Sequence, residues 1–189
     1  VEILFSQGDS AKEKQNVETL ISKGIKVLII CPHDSTAAAA SAEAARAAGV
    51  KVISYDRLIR DTTSVDYYVT FDSFEVGKAW GDYLNSKVPA GTKRNNLYLY
   101  AGAASDNNSF IFFEGAWSAL QPKIADGTYI VRNSDKAAAL AKKAKLTRDE
   151  EAQIIGQVTT NWNFSDAKNK AEANLTAAPK EAKGTVYIC

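Results

Sequence analysis

Apolar and polar positions alternate between two periods from the first residue onward, strand-like runs giving way to helix-like ones. Val1–Ser6 (V-E-I-L-F-S) reads as a strand, and Gly8-Asp9-Ser10 offers a turn and a helix cap. Ala11–Lys23 carries Val17, Leu20 and Ile21 at helical spacing, with Gly24 as the residue that ends it. Lys26–Cys31 (K-V-L-I-I-C) is apolar almost throughout, as expected of a parallel strand covered on both faces. Asp34-Ser35-Thr36 caps an Ala-rich helix, Ala37–Ala48, which Gly49 closes. Val50–Tyr55 and Asp66–Phe71 then read as two further strands.

A second series follows. A helix is expected from about Phe74 to Val88, stopped by Pro89 and Gly91. Leu97–Ala101 reads as a strand, Asn107–Ile124 as a helix, and Tyr129–Arg132 as a strand. Ser134–Glu151 is rich in Lys and Ala and reads as a solvated helix or an excursion, with no role assigned to it. Ile154–Val158 is strand-like, Ser165–Ala178 is a helix capped by Ser165, and Thr185–Ile188 is a last strand. Repeated strand–helix units with helices of this length predict an α/β fold built on parallel sheets. The turn at Asp72-Ser73 separates the two series and suits a hinge between lobes 1–72 and 73–189.

Composition narrows the function classes. The chain has 189 residues, 46% apolar and 24% charged, with a formal net charge of +1. That balance gives no reason to expect nucleic acid or an anionic membrane as partner. No apolar run approaches the ~18 residues of a membrane span. The chain starts at Val1 and contains no Met, and it is read as a processed or excerpted product. Cys31 and Cys189 both end apolar runs and are expected as buried thiols rather than a disulfide. A single His argues against His-based metal sites and triads. No Gly-rich phosphate loop or nucleophile elbow occurs, so no cofactor is expected.

Four places could carry chemistry. Tyr55-Asp56-Arg57 lies just beyond a strand end, where open α/β sheets bind ligands. Asp56 offers acceptors and Arg57 a planar fork of donors, which together suit a polyhydroxylated ligand; a plain surface ion pair is the alternative. Ala101–Asn108 (A-G-A-A-S-D-N-N) enters a helix through small residues; Ser105 or Asp106 can cap that helix while Asn108 faces a ligand. Thr160–Asn163 (T-N-W-N) places Trp162 between two Asn residues, as core, interface or a platform for the CH-rich face of a sugar. In Pro32-His33-Asp34, Asp34 reads as a helix cap and His33 as a surface residue.

The stretches K-G-I-K-V-L-I-I-C-P-H-D-S, G-V-K-V-I-S-Y-D-R-L-I, D-Y-Y-V-T-F-D-S-F-E-V-G and G-A-A-S-D-N-N together resemble the sugar-binding proteins of bacterial ABC transporters. The likeness is to the ribose/galactose/xylose type, and most to its xylose- and multiple-sugar-binding subgroup. It implies a type I periplasmic binding protein, with two Rossmann-like lobes joined by a hinge and a monosaccharide or short sugar held between them. It further implies that Asp56 and Arg57 bond sugar hydroxyls, that Asn108 contributes from the other lobe, that Trp162 stacks on the ring, and that Asp72 marks the hinge. The chain resembles an internal portion, short of a first strand–helix unit and of the last elements. The implied function is an extracytoplasmic, non-enzymatic solute-binding protein, periplasmic or a cell-surface lipoprotein, serving an ABC permease. The alternative is the same module acting as a sensor for a membrane kinase or receptor.

Overall fold

A computed structural model describes residues 1–182 and 184–189. They divide into two compact units, Val1–Phe71 with Ser105–Asn107, and Asp72–Ala104 with Asn108–Cys189.

The first unit contains α1 (Ser10–Ser22), β1 (Val27–Ile30), α2 (Ala39–Ala47), β2 (Lys51–Tyr55) and β3 (Tyr67–Val69). Its three strands are parallel in the order β1-β2-β3, with Val27 opposite Lys51 and Ile53 opposite Tyr67. Val17 of α1 and Ala42 and Ala45 of α2 pack with Leu28, Ile30, Val52 and Ile59 into one core. The small Ala side chains bring α2 close to the strands. Three local expectations are corrected. Val1–Ser6 forms no strand, because an alternating apolar pattern makes a strand only where a neighbouring edge pairs with it. β1 is covered on one face and not both, with Val27 and Ile29 exposed. Cys31 is exposed and Cys189 half-buried, and both are free thiols, so neither is the fully buried thiol expected. Within the expected Gly8-Asp9-Ser10 turn it is Asp9 that caps α1, accepting from the Lys12 N–H.

The second unit contains α3 (Ser73–Lys87), β4 (Asn95–Tyr98), α4 (Asn107–Ala125, entered from the first unit), β5 (Tyr129–Val131), α5 (Asp135–Ala139), α6 (Arg148–Val158), α7 (Phe164–Thr176), a 3₁₀ turn (Lys180–Ala182) and β6 (Val186–Ile188). Its strands are parallel in the order β5-β4-β6, joined by an isolated bridge between Ala101 and Thr159. The α/β class with parallel sheets is therefore as expected. Helices α3 and α4 pack backbone to backbone through glycines. A Cβ on Gly77 would run into the Phe112 carbonyl, one on Gly115 into the Phe74 carbonyl, and one on Gly81 would crowd Ala119.

The expected strand over Ile154–Val158 is instead the end of helix α6. Thr147 and Glu150 form a reciprocal capping box that starts this helix, and Ile154, Ile155 and Val158 fall on one helical face, each fully buried. A short apolar run fits either period, and the cap decides between them. The Lys-rich stretch before it is the short helix α5 followed by a turn-rich excursion, which is tied to α4: the Trp117 indole N–H donates to the Lys143 carbonyl (3.0 Å) and Gln121 donates to the Ala141 carbonyl (2.8 Å). Helix α7 is capped by Asn163 rather than Ser165.

Glu151 is buried on α6, and burial, reinforced by the neighbouring Glu114 charge, pushes its carboxyl up from 4.5 to about 7, against opposing pulls from Arg148 and Lys145. The folded chain thus holds a proton that the unfolded chain releases. The stability this gives is full below about 4.5 and is lost as the pH rises through about 7. Glu151→Gln should remove that slope. Urea unfolding at pH 5 and pH 8 checks it: the wild type should lose more stability between the two values than the variant does, and equal losses would contradict the assignment.

Candidate functional site

In the first unit the chain leaves β2 through Tyr55-Asp56-Arg57. Asp56 sits in the left-handed region at φ 63°, which Asp tolerates better than most residues. Three hydrogen bonds hold it there. Its N–H donates to the Val69 carbonyl (2.8 Å), and its own carbonyl accepts from the Tyr68 hydroxyl (3.2 Å) and the Thr70 hydroxyl (3.0 Å). β3 therefore fixes the backbone of Asp56 from alongside. Ser54 donates to the Arg57 carbonyl (2.5 Å) and closes the turn.

Arg57 does not pair with its neighbour Asp56. Its Nε forms an ion pair with Asp106, 3.0 Å from Oδ2, and its Nη1 donates to the His33 carbonyl at 3.1 Å. The Asp106 side chain is 2% exposed and that of Arg57 is 21% exposed, so this is a desolvated pair and not a surface one. One Nη1 donor is thus spent on a protein carbonyl, and the Nε side of the fork faces the Asp106 carboxylate. Asp106, read from the sequence as a possible helix cap, thus serves to orient Arg57. The stretch around it is tied to the same unit: the Ser35 N–H donates to the Ser105 carbonyl (2.9 Å), and the Asn107 N–H donates to the Ser35 hydroxyl (3.1 Å).

One residue near Arg57 escapes sequence reading. Glu13, on α1, is buried and accepts from the His33 N–H at 2.9 Å. Burial pushes its carboxyl up, while that hydrogen bond and the charges of His33 and Arg57 pull it back. Asp34 accepts from the N–H groups of Thr36 (2.9 Å) and Ala37 (2.8 Å), the capping role expected of it, although α2 itself begins further on at Ala39.

In the second unit, Asp72 caps α3 by accepting from the Glu75 N–H (3.1 Å). Asn108 is buried on the first turn of α4, and its Oδ1 accepts from the Ser73 hydroxyl (3.3 Å). The T-N-W-N loop is held from both ends. Thr159 Oγ1 donates to the Gly102 carbonyl (2.6 Å), and Thr160 donates from its N–H (2.7 Å) and its hydroxyl (2.9 Å) to the Ala101 carbonyl. Asn163 Oδ1 accepts from the N–H groups of Ser165 and Asp166, and Asn161 donates to Asp166 (3.2 Å). Both Asn residues are thus employed in building the loop.

Between them, Asn161 and Trp162 each sit at φ 54°. Two consecutive left-handed residues, one of them a Trp, cost about 1–3 kcal/mol each, a cost this hydrogen bonding offsets. Trp162 is 43% exposed. Its ring meets Phe112 edge-on, 6.3 Å between centroids at 86°, and Phe112 packs on Trp80 at 5.0 Å. These rings help to line a cavity of about 200 Å³ with Leu99, Gly102 and Trp117.

This arrangement supplies hydrogen-bonding groups and aromatic faces. Among the described residues no group of His, Cys, Asp and Glu could hold a metal ion, and no helix is long and apolar enough to cross a membrane. The model for the periplasmic binding protein domain matches residues 1–188. The chain belongs to the periplasmic binding protein family.

It is 39% identical over 132 residues, 69% of its length, to the multiple sugar-binding periplasmic protein SbpA of Azospirillum brasilense, of which it covers 37%. It is 34% identical over 184 residues, 95% of its length, to the D-xylose-binding periplasmic protein of Haemophilus influenzae, of which it covers 52%. Among solved structures, a carbohydrate transporter solute-binding protein from Chloroflexus aurantiacus, in complex with D-glucose, superposes with a TM-score of 0.96 at 72% identity. That match covers the whole of this chain and 55% of the other. The chain thus spans between about a third and a half of the length of the curated relatives it matches.

Removing the Asp106 carboxylate strands a largely desolvated guanidinium. Asp106→Ala should cost about 3 kcal/mol in urea unfolding, the low end for a buried pair because Arg57 keeps some access to water. Adding Arg57→Met should recover most of the loss. A single-variant cost under about 0.5 kcal/mol would show that the pair is as weak as an exposed one.

Proposed function

We propose that the protein binds a monosaccharide, with Asp56 and Arg57 of the first unit and Asn108 and Trp162 of the second as the sugar-binding residues, and delivers it to an ABC permease from outside the cytoplasm. The observation that carries this reading is the 72% identity, along the whole chain, to a solute-binding protein holding D-glucose. Residue chemistry supports it. Each sugar hydroxyl both donates and accepts, and a carboxylate beside a guanidinium meets both needs. An indole packs against the CH-rich face of a pyranose without demanding a polar partner of its own.

The sugar class is a pentose or hexose. Relatives named for D-xylose and for multiple sugars, and the neighbour with D-glucose, favour aldoses. We assign Asp72, at the boundary of the two units, as the hinge. Ligand would then act by selecting one of two arrangements of the units. A second reading, in which the same module reports sugar to a membrane sensor, is favoured by one relative: the multiple sugar-binding periplasmic receptor ChvE of Rhizobium radiobacter is 36% identical over 137 residues. Co-purification with a sensor rather than a permease would select it.

Titration calorimetry with D-glucose and D-xylose tests the binding. Asp56→Ala and Arg57→Ala should each cost about 2–5 kcal/mol of affinity, because each leaves a desolvated partner group unpaired. Affinity unchanged in both variants would sink the assignment.

A further inference from the structure

The turn between β1 and α2 meets both ends of the Arg57–Asp106 ion pair within three residues. At its start, the His33 carbonyl accepts from Arg57 Nη1 (3.1 Å). Two residues on, Ser35 grips the chain on either side of Asp106. Its N–H donates to the Ser105 carbonyl (2.9 Å), and its hydroxyl oxygen accepts from the Asn107 N–H (3.1 Å). The Ser35 carbonyl also accepts from the Arg60 N–H (2.7 Å), three residues after Arg57. All of these residues lie in the first unit. Ser35 is 4% exposed, so these bonds are made out of reach of bulk water.

Glu13 holds the same turn from α1. It is buried, and its Oε2 accepts from the His33 N–H (2.9 Å), so the residue that offers a carbonyl to Arg57 is itself tethered to a helix. The bonds of Asp34 to the Thr36 and Ala37 N–H groups turn the chain towards α2. Those of Glu13 and Ser35 lead elsewhere, to the two partners of the ion pair.

We propose that Ser35 and Glu13 are positioning residues for sugar binding: Ser35 sets the Asp106 side of the ion pair, Glu13 sets the Arg57 side through His33, and together they fix the direction of the guanidinium. The inference rests on the reading of Arg57 as a sugar-binding residue and adds what aims it. Loss of either tether would leave the ion pair able to form but free to shift, and the guanidinium would meet the sugar hydroxyls less squarely.

The test uses the full-length protein, D-glucose titrated by calorimetry, and the Nε–Hε resonance of Arg57, assigned by Arg57→Lys. Ser35→Ala removes the acceptor for the Asn107 N–H and should shift that resonance and weaken D-glucose binding about five- to ten-fold. Glu13→Ala should do the same, while Glu13→Gln, which keeps an acceptor for the His33 N–H, should bring affinity back to within about two-fold of the wild type. In an Arg57→Lys background, which has no fork to aim, Ser35→Ala should change affinity less than about two-fold. The Glu13 variants decide if Ser35→Ala fails to fold. An unshifted resonance, unchanged affinity in both alanine variants, or losses that persist at full size in the Arg57→Lys background would each overturn the positioning role. If Arg57→Lys itself leaves affinity unchanged, the reading of Arg57 as a sugar-binding residue fails instead, and the Nε–Hε resonance still reports whether Ser35 and Glu13 set the guanidinium.

Discussion

A carboxylate taken out of water demands a partner, and in the first unit the partner of Asp106 is Arg57. The demand runs both ways. Arg57, largely covered by the protein, would be a liability after β2 without a charge to face, and the 3.0 Å contact from its Nε is what allows a guanidinium to stand there with a defined orientation. The contact also accounts for the chain's path. Ser105–Asn107 belong to the first unit although the residues on either side belong to the second. The Ser35 bonds to Ser105 and Asn107 complete the attachment. One buried ion pair thus holds a short return of the chain and orients Arg57.

The second unit meets a comparable demand by different means. Trp162 in a left-handed conformation is costly, and the loop tolerates it because Thr159, Thr160, Asn161 and Asn163 all bond within the loop or to its seat. Polar groups flanking an aromatic residue are easily read as ligand contacts, but here they build the support. Asn108 is similarly engaged, with its Oδ1 accepting from Ser73. Both units therefore show groups suited to a ligand resting on hydrogen bonds that preset them, which lowers the ordering cost of binding.

Much of this was legible in the residues. The run V-K-V-I-S-Y reads as β2 because β-branched residues sit between a helix-ending Gly and a polar turn, and α4 reads as a helix over nearly its full length. Asp56, Arg57, Asn108 and Trp162 were singled out by their position after strand ends. What escaped depends on tertiary structure. Ile154–Val158 has the composition of a strand, and only the Thr147–Glu150 cap ahead of it makes the run helical. Val1–Ser6 has the alternation of a strand without a partner edge. That Arg57 bonds Asp106 and not its neighbour Asp56 is invisible at a sequence separation of 49 residues. Gly102 looked like one small residue among several in A-G-A-A, since what demands a glycine there is an indole from a distant loop.

The account's central claim is that groups preset by protein bonds receive a sugar. A crystal structure of the full-length protein grown with D-glucose tests it most directly. The account predicts sugar hydroxyls within hydrogen-bonding distance of the Asp56 carboxylate and of the Arg57 guanidinium, with the pyranose packed against the Trp162 indole. A sugar bound elsewhere, or one that breaks the Arg57–Asp106 contact to bind, would contradict it.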